Sequence, residues 1–343
     1  VTRFIYTAAT LTLLLAASSI IVLGIGSVPI PPTDVIDVIA RRVHLIHGDH
    51  VTIFTDRIIW ELRLPRIMAT IAVGAALAQC GCILQALTGN DLADPYLLGI
   101  SSGAAVGAVA AIILGWTIPG LPPAVATTVT AFTGAIAALA LVLGLATGRS
   151  GALPPGRTIL AGIAISQLAG AFTSFVVMIF GGYSGAREVM TWMLGSFSGI
   201  RAPHAWLITI TTLLATTALI TSAPALDAFA FGETSARSLG IRVEHTRWAL
   251  FTGCALLTAT TVATVGPIGF VGLTIPHIMR LIIGPTHRRL LPASALAGAL
   301  LLLWSDTAAR ALNPGQEIPI GVITAAIGAP VLVALLRNHA RHS

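Results

Sequence analysis

The sequence predicts an all-α integral membrane protein with about ten transmembrane helices, on three observations. Apolar residues make up 55% of the 343 and charged residues only 9%, with a mean hydropathy of +0.91, whereas a soluble domain carries roughly a quarter charged. Apolar runs long enough to cross a hydrocarbon core, about 20 residues for ~30 Å, follow one another with brief polar breaks. Glycine, at 34 residues, recurs inside those runs, as at Gly74, Gly81, Gly99, Gly103 and Gly107, where small residues let helices approach closely in lipid.

In chain order the apolar windows place spans at residues 4–28, 66–87, 96–114, 124–146, 158–180, 204–222, 247–265, 271–283, 291–312 and 319–336. The first follows a lone Arg3. It exceeds a signal-peptide core and shows no small-residue cleavage site before the next polar stretch, so it is read as a spanning helix; Val1 leaves the start of translation open. The eighth is too short to cross unaided. It is either partly irregular and packed inside protein or extended from residues 266–270. Gly and Pro also interrupt the chain at residues 265–276 and 89–95, and broken helices in corresponding halves often border a transport path.

Charge supplies an exclusion and an orientation. Every basic side chain except histidine is arginine, and the chain has no lysine. The nucleotide loop G-x-x-x-x-G-K-[ST] requires one to reach the β- and γ-phosphates, so any ATP energy has to come from a partner. The arginines are dispersed between apolar runs, not gathered on one basic face as nucleic-acid binding demands. Ten spans with an inner N-terminus return the C-terminus to the cytoplasm. The inner side then receives Arg3, Arg149, Arg157, Arg237, Arg242, Arg247, Arg288, Arg289, Arg337 and Arg341, in the sense of the positive-inside rule. Five arginines break that pattern in or beside the outer segment after Val28: Arg41, Arg42, Arg57, Arg63 and Arg66. Cys80, Cys82 and Cys254 lie in apolar runs and read as small hydrophobes.

Four stretches are more specific. They are L-R-L-P-R at 62–66, leading into Q-A-L-T-G-N-D-L-A-D-P-Y-L-L-G-I-S-S-G-A at 85–104; G-E-T-S-A-R-S-L-G-I at 232–241; V-G-P-I-G-F-V-G-L-T-I-P-H-I-M-R at 265–280; and E-I-P-I-G-V-I-T-A-A-I-G-A-P at 317–330. In this order and spacing they closely resemble the FecCD family of permeases, which serve importers of iron siderophores, haem and vitamin B12. The resemblance implies one permease domain over 1–343 with type II ABC importer architecture. Its parts are a first helix and outer loop (1–60), a matching core (61–337) and an inner coupling loop (222–246).

The resemblance further implies a second permease subunit, identical or paralogous, two ABC ATPase subunits and an extracytoplasmic substrate-binding protein. The chain itself would bind no cofactor, since ATP and magnesium sit on the ATPases. Arg63, Arg66 and Arg310 correspond to the arginines that receive acidic residues of the binding protein, and exposed guanidinium groups at a helix mouth suit that role, binding carboxylates bidentately. Glu233, Ala236, Arg237, Leu239 and Gly240 correspond to the coupling helix that fits the ATPase; Glu233 favours the positive end of a short helix and Gly240 a C-terminal stop. The inner gate would form near Asn90 and Leu92 and around Pro154 and Pro155. The family carries proline where this chain has Asp91, and small hydroxyl residues where it has Pro154 and Pro155.

Among intramembrane polar groups, which are costly in lipid, Asp306 and Arg310 stand four apart, a spacing that lets them pair on one helix face. Gln79, Gln85, Ser166 and Gln167 either bond between helices or line the path. His277 and Arg280 read as structural. An ion-coupled secondary transporter would need buried acids, and Asp306 is nearly alone. The resemblance therefore implies an iron-siderophore importer permease in the bacterial inner membrane, with haem and cobalamin as alternative cargoes.

Overall fold

A computed structural model describes residues 2–26, 28–42, 52–148, 151–312 and 317–339; Arg149 and Arg341, assigned above to the inner side, lie outside them. The described residues form helices and connecting turns, with no strand among them.

Seven helical segments are long and apolar enough to cross a bilayer. They are α1 (Thr2–Gly24), the continuous stretch Ile53–Thr88, α6 (Pro123–Ala146), α7 (Pro155–Phe180), α9 (Ala202–Thr221), α12 (Val243–Val265) and α14 (His287–Ala311). Three shorter apolar helices, α5 (Ile100–Ile112), α13 (Val271–Ile283) and α15 (Ile320–His339), bring the described total to the ten expected. The eighth span resolves as its first alternative. Residues 266–270 are irregular and α13 is short, with Phe270 held at φ 69° against Gly328.

The second span departs from expectation at its start. In place of a loop ending at residue 65, α3 (Ile53–Arg57) runs through a π turn (Ile58–Arg63) into α4 (Leu64–Thr88). Pro65 has no N–H for the carbonyl four residues back, and a wider turn is one way a helix absorbs such a gap. The sequence reading also lacks α2 (Pro32–Arg42), which buries Val35 and Val38 on one face, and α8 (Gly182–Met193) between the fifth and sixth spans.

Helix α4 is the axis of the bundle. Of its most apolar stretch 83% is buried, against 17% for α1. It packs against α14, α9, α13 and α12, and glycine sets how closely. A Cβ built on Gly81 would fall 1.8 Å from the Gly272 carbonyl oxygen of α13, and one on Gly74 2.3 Å from that of Gly298 in α14. The three cysteines are buried and free in this core. Helices α1, α4, α9 and α14 meet at one end of the bundle, called here the mouth. The opposite end carries two short helices, α10 (Ala223–Phe229) and α11 (Glu233–Ser238).

Candidate functional site

The mouth is a cluster of guanidinium and carboxylate groups brought from α4 with its π turn, from α14, and from the segments that precede α9 and α15. Arg63 and Arg66 lie three residues apart, so the turn that opens α4 turns both to one side. Arg310 and Asp306 come from the last turns of α14, and Glu317 from the segment before α15. Arg63, Arg66, Arg310 and Glu317, with Arg201 at the start of α9, line a basin of about 450 Å³ whose apolar walls include Phe54, Leu62 and Phe197.

The expectation of three exposed guanidinium groups is corrected by this geometry. Arg63 is buried and donates to the backbone carbonyls of Leu23 and Val28, capping the end of α1. Gly26 makes room for it, since a Cβ there would lie 2.8 Å from its Nη2. Arg66 donates to Asp306 (Nη2 to Oδ1, 2.8 Å; Nε to Oδ2, 3.0 Å) and bidentately to Glu317 (2.8 and 3.0 Å). Arg310 places Nε 3.3 Å from Asp306 Oδ2, the expected pair, and donates Nη1 to the Ile25 carbonyl at 3.1 Å. Asp306, 3% exposed, thus holds two guanidinium groups, whose side chains are 13% and 10% exposed. Such clusters form because a buried charge is costly without a partner. Arg41 and Arg42, unassigned by the sequence, both pair with Asp56 at 2.8 and 2.6 Å.

At the opposite end, α11 is framed by Gly232 and Gly240, both with positive φ. Its faces divide the predicted contact residues. Ala236 is buried and presents nothing outward, whereas Leu239 is 69% exposed and the Arg237 side chain 61%. Gly240 is exposed beside them. Glu233 is partly engaged inside the chain, pairing with the buried Arg247 of α12 and, at 3.8 Å, with Arg237. Arg247 also lies 3.7 Å from Glu244 and over the Phe229 ring. Glu244 in turn accepts from the Leu153 amide at 3.2 Å, and Trp248 donates to the Gly151 carbonyl at 3.1 Å. A polar chain therefore runs from α11 through α12 to the residue before Pro154 and Pro155.

The other predicted gate stretch follows α4. Asn90 closes a turn by accepting from the Leu92 amide at 2.9 Å, and both residues are exposed. Asp91, where the family has proline, pairs with Arg280 of α13 at 2.7 Å. Arg280 also donates to Gln85, whose amide reaches the Leu273 carbonyl at 3.2 Å. Gln85 thus bonds between helices, as does Gln79 with Thr216 at 2.9 Å. Between α5, α7 and α8 lies a cavity of about 360 Å³, lined by methionine, small and hydroxyl residues such as Ser102, Ser174, Met178, Met190 and Met193.

Sequence reasoning missed Arg247 and Glu244 as a bridge, Glu317 as a ligand of Arg66, and Arg201 as a wall of the mouth. Only the Glu244–Arg247 spacing of three residues was a signal; the other partners are brought together by tertiary packing.

The chain is similar to the vitamin B12 import system permease BtuC of Salmonella typhimurium, 40% identical over 294 residues and covering 86% of this chain and 88% of that protein. To BtuC of Vibrio vulnificus it is 39% identical over 290 residues, 84% and 86% of the two chains. Its fold matches a solved inward-facing conformation of a proposed metal-chelate type ABC transporter, with TM-score 0.82, 30% identity and coverage of 96% and 98%. PsaBC from Streptococcus pneumoniae, solved in complex with Fab, shares the fold at TM-score 0.59 and 17% identity, over 82% and 93%. The model of the FecCD transport family matches residues 13–338. With the motifs, the ten helices and these relatives in agreement, the chain is the permease of an ABC importer and belongs to the FecCD transport family.

Proposed function

We propose that this permease imports a bulky metal chelate by alternating access, receiving it at the mouth from an extracytoplasmic binding protein and moving it with energy delivered at α11 by ATPase subunits. The observation that carries the reading is the opposition of two polar devices across one bundle: a guanidinium cluster at one end and, at the other, a short helix tied by ion pairs toward the gate stretch before α7. The mouth then faces the outside, and both termini are cytoplasmic in a bacterial inner membrane. ATP binding draws the ATPases together. Arg237, Leu239 and Gly240 receive that motion, and Glu233, Arg247 and Glu244 pass it to residues 153–155. A two-state element biased from both ends is what such coupling requires.

A second permease subunit completes the path along α7 and α8, whose Phe175, Met178 and Tyr183 are exposed. The cavity beside them offers apolar and hydroxyl groups, which suits a large chelate with few charges. Iron siderophore is the cargo carried over from the family resemblance. Cobalamin is the second reading, favoured by relatives named as vitamin B12 permeases. The test is reconstitution of the permease with its ATPases and binding protein in vesicles, loaded in turn with ferric siderophores, haem and cobalamin. One cargo should raise ATP hydrolysis and accumulate inside. Accumulation driven by a proton gradient without ATPases would refute the reading.

A further inference from the structure

The mouth contains four guanidinium groups and two carboxylates, Asp306 and Glu317. Three of the four are committed inside the chain. Arg63 spends its terminal nitrogens on the carbonyls of Leu23 and Val28, Arg66 faces both carboxylates, and Arg310 lies between Asp306 and the Ile25 carbonyl. Arg201 differs in each respect. It is exposed, it precedes the first turn of α9 with extended backbone, and its side chain makes no hydrogen bond or ion pair with a described residue. It nevertheless lines the same basin as the other three.

We propose that Arg201 is a further receiving group for an acidic side chain of the docked binding protein, beside Arg63, Arg66 and Arg310 in the same basin. The inference rests on the docking reading above and sharpens it. A carboxylate arriving at Arg66 has to displace Glu317, and one arriving at Arg63 competes with backbone carbonyls that would be left without a partner, at a cost. At Arg201 it displaces only water. The planar fork accepts a carboxylate through two parallel hydrogen bonds, and the two uncancelled positive charges of the basin draw the acid in. The element that meets Arg201 is accordingly an aspartate or glutamate of the binding protein reaching the start of α9, not the cargo itself.

The test measures the affinity of loaded binding protein for the complete permease–ATPase complex in nanodiscs, at several salt concentrations. Loss of one charge-assisted contact predicts about a tenfold weaker affinity for R201A. R201E should be weaker still. R201K should keep part of the affinity, because its ammonium retains the charge without the fork. If R201A and R201E bind like the parent while R66E abolishes docking, the Arg201 assignment is overturned and docking at the mouth stands. If none of these variants changes affinity, both fail. If R201A instead weakens binding of free cargo to the complex without binding protein, the group recognises cargo and the proposal is overturned.

Discussion

Removal of the Asp306 charge is the sharpest test of how the mouth is built. Asp306 is the shared acceptor of Arg66, at 2.8 and 3.0 Å, and the ion-pair partner of Arg310, at 3.3 Å. In D306N the side chain keeps one acceptor oxygen, while its amide turns a donor toward groups that only donate. Two largely buried guanidinium groups are then left with Glu317 and the Ile25 carbonyl. Stripping one partner from a buried pair costs about 3–5 kcal/mol, and relaxation of the partly open basin argues for the lower figure. Unfolding entropy of about 2.1 cal/mol/K per residue over 343 residues gives about 0.7 kcal/mol/K. A loss of about 3 kcal/mol therefore lowers Tm by about 4 °C. The protein carries its own reporter. Cys80, Cys82 and Cys254 are free and buried, so a thiol-reactive fluorophore in detergent reads unfolding directly. The double variant D306N/R66Q should fall short of the sum of the single losses, because the stranded charge is gone. Additive losses, or a D306N shift below about 1 °C, would refute the shared-acceptor account.

Glu317 should behave oppositely: its pair with Arg66 is partly exposed, worth at most about 1 kcal/mol, so E317Q should leave Tm nearly unchanged and tighten binding-protein affinity severalfold by releasing the Arg66 fork; weaker docking would show that Glu317 positions Arg66 instead. For G81A the added Cβ meets backbone at 1.8 Å, so α4 and α13 cannot close and folded yield should collapse. G144A meets nothing within 4 Å and should match the parent in the same size-exclusion profile. R247A leaves Glu233 and Glu244 only the exposed Arg237 as a cation, at 3.8 and 3.7 Å, and removes the buried cation between them, so ATP hydrolysis should persist while uptake per ATP falls; R247K should restore little of it, since an ammonium lacks the fork that reaches both acids. Unchanged uptake per ATP in R247A would remove the proposed route from α11 to the gate.

Much of the bundle was legible because its cause is local. A run of apolar residues has one way to cross lipid with its backbone satisfied, and that is a helix, so hydropathy alone placed both ends of every span but the second within about four residues. The α3–π–α4 extension escaped because Arg57, Glu61 and Arg63 interrupt the apolar window while leaving the helix intact, with Ile59 buried against the bundle. At the site, the i,i+4 pair of Asp306 and Arg310 was readable from spacing, whereas Arg66, 240 residues from Asp306, was not. The distinction bears on function. Motifs identified which arginines belong to the mouth, yet a motif records a residue and not its partners. Only packing shows that Arg63 is committed to the end of α1, that Arg66 is shared between two acids, and that the Arg201 side chain has no partner among the described residues. In the proposed docking, an arginine held this firmly still contributes by its field and by the shape it imposes. The positions most legible in sequence and the position most open to a partner need not coincide, and at this mouth they are different residues.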